Sequence, residues 1–146
     1  MATIFSRIIA GEIPGRFIWS DEACAAFLTI EPLAPGHTLV VPRREVDHWI
    51  DLDRDLNGHL FDVARLIGDA IRYAFNPNRV GLMVQGFEVP HAHLHVWPAS
   101  SPADFDLAAA ERSPNPDALD SAGEQLRSAL HDLGYGEFVP EDMSRP

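Results

Sequence analysis

The run Pro90-His91-Ala92-His93-Leu94-His95-Val96-Trp97-Pro98 sets three histidines at strictly alternate positions. Successive side chains of a β-strand point to opposite faces. The spacing predicts a strand over His91 to Trp97, with His91, His93 and His95 on one face. Ala92, Leu94 and Val96 then form the other, buried face. Imidazole titrates near neutral pH, and aligned imidazoles offer a core nothing that aliphatic side chains would not supply better. The array reads as chemistry. Its central ring, His93, has a neighbour about 6–7 Å away on each side along the strand, so both flanking rings can serve it.

The rest of the chain supplies a frame for such a strand. Thr3 to Ile9 has the spacing of a short opening helix, closed by Gly11 and Pro14. Arg16 to Ser20 and Ala23 to Ile30 read as strands joined at Asp21-Glu22, followed by a loop from Glu31 to Gly36. His37 to Pro42 is a third strand with a β-rich centre. Leu56, Leu60, Val63, Ile67, Ile71 and Ala74 recur at helical spacing, which predicts a long amphipathic helix from about Asp53 to Phe75, ended by Asn76-Pro77-Asn78. Val80 to Val84 precedes the histidine strand, with Gln85 to Pro90 between them. Ser100 to Pro116 is a polar, proline-bearing loop. Asn115-Pro116 is a cap and first-turn pair for a closing helix marked by Leu119, Ala122, Leu126, Leu130 and Leu133. The expected fold is α+β: a five-stranded, mostly antiparallel sheet with one long and one C-terminal helix, in a single domain spanning residues 1–146.

Composition narrows the function classes. The net charge is −11, and all 11 basic residues are arginine. Without lysine there is no Schiff base and no P-loop lysine. A strongly acidic chain with no basic stripe is poorly suited to nucleic acid, where phosphate neutralisation supplies most of the affinity. An anionic small ligand needs only a local positive field, from histidines, backbone N–H groups or Arg43 and Arg44. No apolar run approaches membrane-spanning length. A lone Cys24 excludes a disulfide within one chain and fits a reducing compartment, so the cytoplasm is the expected location. Cys24 reads as a small buried apolar residue, and His48, His59 and His131 as surface or packing residues.

The histidine run meets the pattern His-φ-His-φ-His-φ-φ, with Ala92, Leu94, Val96 and Trp97 at the apolar φ positions. Upstream, Phe5, Ile8, Glu12-Ile13-Pro14, Phe27, Pro32, Pro35-Gly36-His37, Leu39 and Val41-Pro42 complete a recognisable arrangement. On these residues the chain resembles the histidine triad (HIT) family of nucleotide hydrolases and transferases. The likeness covers a core of residues 1–98, leaving a divergent loop and C-terminal helix over 99–146.

The resemblance implies cleavage at the α-phosphorus of purine nucleoside phosphoramidates or dinucleoside polyphosphates, through a covalent nucleotidyl-histidine intermediate and without metal or cofactor. It makes His93 the nucleophile, with His91 and His95 contacting phosphate oxygens and moving protons, and His37 as the fourth active-site histidine. Phe27 and Ile30 become walls for a base. Thr29 stands where many members carry an acidic residue for the ribose, and a hydroxyl lacks the charge-assisted acceptor strength of a carboxylate. Gly86-Phe87-Glu88-Val89-Pro90 replaces the family's Gly-Gln-Ser/Thr-Val segment, putting Glu88 where a hydroxyl is usual and Gln85 near the end of the preceding strand. Family members pair as twofold dimers, so a homodimer is expected. Three alternatives stay open: nucleotidyl transfer to phosphate by the same intermediate, a nucleotide-binding module without hydrolysis, and zinc held by histidines. For zinc, His91 and His95 would start about 13 Å apart on an extended strand, so two ligands from the array plus His37 is the easier set.

Overall fold

The computed structural model describes residues 1–146. Helix α1 (Ile4–Ile9) is followed by strands β1 (Phe17–Ser20), β2 (Cys24–Leu28) and β3 (Thr38–Pro42). Helix α2 (Arg54–Phe75), strands β4 (Arg79–Met83) and β5 (Leu94–Ala99), and helix α3 (Pro116–Asp132) follow, with short 3-10 turns at Trp49–Asp51, Pro102–Phe105, Leu107–Ala109 and Gly136–Phe138. The sheet has five strands in the order β1-β2-β3-β5-β4, and every neighbouring pair is antiparallel. This is the expected α+β architecture.

The helix ends follow from their capping residues. Asp53 accepts from Leu56 N–H to open α2, and Asn76 closes it in the left-handed region at φ 47° ahead of Pro77. Asn115 accepts from Asp117 N–H, with Pro116 in the first turn of α3. Thr3 accepts from Ser6 N–H to cap α1.

Alternation along the central strands divides two cores. Cys24, Ala26, Val40, Leu94 and Val96 face α2 and α3, where they join Leu60, Ile67, Ile71, Leu126 and Leu130. Ala25, Phe27, Leu39 and Val41 face the other way, toward Phe5 of α1 and Phe17. Both faces of the sheet are therefore covered, and its central strands are apolar on both sides. Arg127 of α3 ties the far edge: its guanidinium donates to the carbonyls of Phe17 at 3.0 Å and Pro140 at 2.6 Å.

The histidine strand starts later than its periodicity predicts. Pairing with β3 begins at Leu94 opposite Val40, so His91, Ala92 and His93 precede the ladder. The chain there is held by other bonds, His91 N–H to Val89 O and Ala92 N–H to Val46 O. The division of faces survives. Phe5 packs against His91 and His93 at ring distances of 5.9 and 4.8 Å, whereas Ala92, Leu94 and Val96 lie in the helix-side core.

Candidate active site

The histidine face opens on a cavity of about 280 Å³. His37, His93 and His95 line it. Phe27 of β2, Thr29 and Ile30 just beyond that strand, and the connector from Gln85 to Val89 also line it. All five residues singled out for substrate, Phe27, Thr29, Ile30, Gln85 and Glu88, border this space.

His37 stands immediately before β3, where the chain turns sharply at Gly36. There φ is +96°, and a Cβ would lie 2.6 Å from Cε2 of Phe75, so only glycine fits. From that position His37 reaches the next strand. Leu33 N–H donates to its Nδ1 at 3.0 Å, so in the neutral ring the proton sits on Nε2. That Nε2–H donates to Nδ1 of His95 at 2.9 Å. His95 must then carry its own proton on Nε2, the remaining ring nitrogen.

His93 has the opposite polarity. Its Nδ1–H donates to the carbonyl oxygen of His91 at 2.7 Å, which leaves Nε2 with a free lone pair. The His93 and His95 rings lie 4.9 Å apart. Two neighbouring imidazoles thus present unlike nitrogens, one a nucleophile or base and the other a donor.

Burial favours the neutral form of all three rings, His37, His93 and His95. It pushes His37 down to about 3, helped by His95 and then His93, and His95 down to about 4, helped by His93. Burial also holds His93 below the usual imidazole range; the His91 carbonyl opposes it, and the His91 and Glu88 charges act in opposite senses.

His91 departs from the expected arrangement. It shares the histidine face but does not line the cavity. Its Nε2–H donates to Pro42 O and its Nδ1 accepts from Thr3 Oγ1, both at 2.7 Å. Both nitrogens of its ring are thus occupied within the protein, and its backbone carbonyl is bound to His93. Glu88 and Gln85 are exposed at the rim. Thr29 Oγ1 accepts from Glu31 N–H at 3.1 Å, which ties this hydroxyl to the turn that follows β2.

Residues from beyond the recognisable core complete the wall. Leu107, Ala110 and Arg112 border the cavity because the loop after β5 folds back, with Glu111 N–H bonded to Pro32 O at 2.9 Å. Arg112 pairs with Glu31, itself a lining residue. Nothing in the polar loop of the sequence signals this, because no periodicity connects it to β2. Arg43 and Arg44 are exposed and lie outside the cavity, bonded to Ser20 and Asp21 O and to Asp53. The zinc alternative gains no geometric support at the triad: three ligand atoms close enough to share an ion occur at Asp21, Cys24 and His59 instead.

Residues 10–101 match the family model described as the HIT domain. The chain belongs to the HIT family. Among HIT relatives, the protein hit of Bacillus subtilis is 34% identical over 108 residues, covering 69% of this chain and 73% of that one. A solved structure described as a hypothetical histidine triad nucleotide-binding protein, ST2152 from Sulfolobus tokodaii strain7, superposes with a TM-score of 0.79 at 25% identity, covering 93% and 98% of the two chains. A HIT family hydrolase from Legionella pneumophila Philadelphia 1 is 27% identical with a TM-score of 0.60, over 68% of this chain and 95% of that one. The HIT family, to which the chain belongs, thus includes proteins described as nucleotide-binding and as hydrolases.

Proposed function

We propose that the cavity hydrolyses purine nucleoside phosphoramidates or dinucleoside polyphosphates at the α-phosphorus through a nucleotidyl-His93 intermediate. The observation that carries this reading is the pair of unlike nitrogens: His93 Nε2 bears a lone pair, fixed by the His91 carbonyl, and His95 Nε2 bears a proton, fixed through His37 by Leu33 N–H. In the first step the His93 lone pair forms a bond to phosphorus and the bond to the leaving group breaks. The leaving amine or phosphate takes its proton from solvent at the open rim. His95 Nε2–H donates to a phosphoryl oxygen as charge builds there. The substituted His93 ring is positive, and its Nδ1–H bond to the His91 carbonyl stabilises that charge. Water then attacks phosphorus, releases its proton to solvent and returns the electron pair to Nε2, freeing the nucleoside monophosphate. None of these steps calls for a metal.

Phe27 and Ile30 supply apolar walls for the base, and Thr29 lies beside them toward the sugar. His91 acts through position, its ring pinned between Pro42 and Thr3 so that its carbonyl meets His93. Glu88 contributes charge at the rim.

The deciding experiment uses chelator-treated protein and an α-labelled adenosine phosphoramidate. Acid-labile label on the wild type, none on His93→Ala, and release of AMP are the expected results. Wild-type turnover by His93→Ala would overturn the reading. Release of ADP in the presence of phosphate would assign transfer in place of hydrolysis, and tight nucleotide binding without turnover would assign a binding module.

We infer that HIT-type pairing also applies to this chain and that it works in the cytoplasm as a single domain. Edge strand β4 has no partner on its outer side and exposes Leu82, while the other edge is covered by the bond from Phe17 N–H to Met143 O. A monomeric mass in solution would overturn the homodimer. No helix is long and apolar enough to cross a membrane.

A further inference from the structure

On the helix side of the sheet, away from the cavity, Asp21, Cys24 and His59 bring a carboxylate oxygen, a thiol sulfur and an imidazole nitrogen within 4.8 Å of one another. We propose that these residues form a binding site for a divalent transition metal ion of the zinc type.

The geometry suits such an ion. His59 Nε2 lies 2.7 Å from Asp21 Oδ2, and Cys24 Sγ lies 3.5 Å from the same oxygen. Ligands on a tetrahedral ion at bond lengths of about 2.0–2.3 Å sit roughly 3.3–3.8 Å apart. The site therefore needs only a small outward turn of His59, whose side chain is 40% exposed. Asp21 and Cys24 flank the β1–β2 turn, and His59 faces them from the second turn of α2.

The carboxylate is already held as a metal ligand would be. Asp21 Oδ1 accepts from the N–H groups of Ala23 and Cys24, each at 2.8 Å. Trp19 Nε1–H donates to Oδ2 at 2.8 Å, leaving a lone pair of that oxygen aimed at His59. Carboxylates that ligate a metal are typically held by outer hydrogen-bond donors in this way. Carboxylate and thiolate together neutralise a divalent ion, and solvent on the His59 side can fill the fourth position. Thiolate and imidazole select zinc-type ions over magnesium or calcium. The guanidinium of Arg43 donates to the backbone O of Asp21 at 2.8 Å, which places a positive charge beside the cluster.

Binding breaks the Cys24 S–H bond, forms a sulfur–metal bond and releases that proton to solvent; no electron is transferred. Cobalt(II) and zinc(II), added alone to chelator-treated protein, are the probes. One equivalent of cobalt should produce a thiolate-to-cobalt charge-transfer band in the wild type and equally in His93→Ala, which leaves this cluster untouched. Zinc should displace the cobalt with loss of the band, and the first metal bound should release one thiol proton. Cys24→Ala should abolish the band, and His59→Ala, at a more exposed position, should weaken binding at least 10-fold. A wild type with no band, a band that survives Cys24→Ala, unchanged affinity in His59→Ala, or binding lost with His93→Ala would each overturn the site. The readout is spectroscopic, so failure here leaves the hydrolase reading standing, and the reverse holds too.

Discussion

Nε2 of His37 lies 2.9 Å from Nδ1 of His95, across the two strands that pair at the centre of the site. Both rings are buried, and Leu33 N–H sets the direction of the bond. Replacing His37 by Phe removes the donor that fixes the tautomer of His95. The expected result is a fall in kcat of about 10²-fold, the usual loss for one preorganised donor, with little change in KM. A drop confined to KM would mean that His37 only shapes the pocket.

His91 and His93 separate in the same way. The ring of His91 lies outside the cavity, and its contact with His93 is made by a backbone carbonyl that alanine retains. His91→Ala should therefore keep measurable labelling while lowering stability, since Pro42 O and Thr3 Oγ1 lose a buried partner worth about 1–3 kcal/mol. His93→Ala should keep none. Equal inactivity of the two variants, both folded by circular dichroism, would place the His91 ring in the chemistry.

The buried imidazoles also set a pH dependence of stability. Burial first, then neighbouring histidines, lowers His37 to about 3 and His95 to about 4 from the ordinary value of 6.5. Between the unfolded and folded values the unfolded chain binds more protons, so stability rises with pH. The melting temperature should thus fall as pH drops from about 6.5 toward 4. Carboxylate effects join below that window. His95→Phe should flatten the slope within it; an unchanged slope would show that these rings do not govern it.

Two glycines should respond to alanine in opposite directions. A Cβ at Gly81 of β4 would stand 2.6 Å from Cε2 of the buried Trp97 on β5. Gly81→Ala should cost about 1–3 kcal/mol as overpacking. Gly58 lies within α2 with nothing inside 4 Å of its Cβ position. Gly58→Ala should stabilise by about 0.4–1 kcal/mol, through helix propensity and a less disordered unfolded chain. Denaturant midpoints moving the same way for both would contradict this packing.

Much of the frame was legible because it depends on local rules. The alternation from His91 to Val96 assigns the histidines and aliphatics to opposite faces independently of strand pairing, and those faces are the ones observed. The helical spacing from Leu56 to Ala74, with Asp53 and Asn76 at its ends, matches α2 closely. Caps and turns also act within a few residues, so Asn115-Pro116 marked the start of α3 correctly.

Hydrogen-bond partners obey no such period. His37 meets His95 across 58 residues, and Arg112 meets Glu31 across 81, only because strand register and the returning loop bring them together. His59 read as surface or packing, yet α2 lays it against Asp21 and Cys24. His91 looked equivalent to His93 and His95 until Pro42 and Thr3 closed around its ring. Which residue types share a face follows from the order of residues along the chain, because side-chain direction repeats with the backbone. Which ring nitrogen carries a proton and which carries a lone pair follows from the packed fold, because that depends on the donor or acceptor each nitrogen meets.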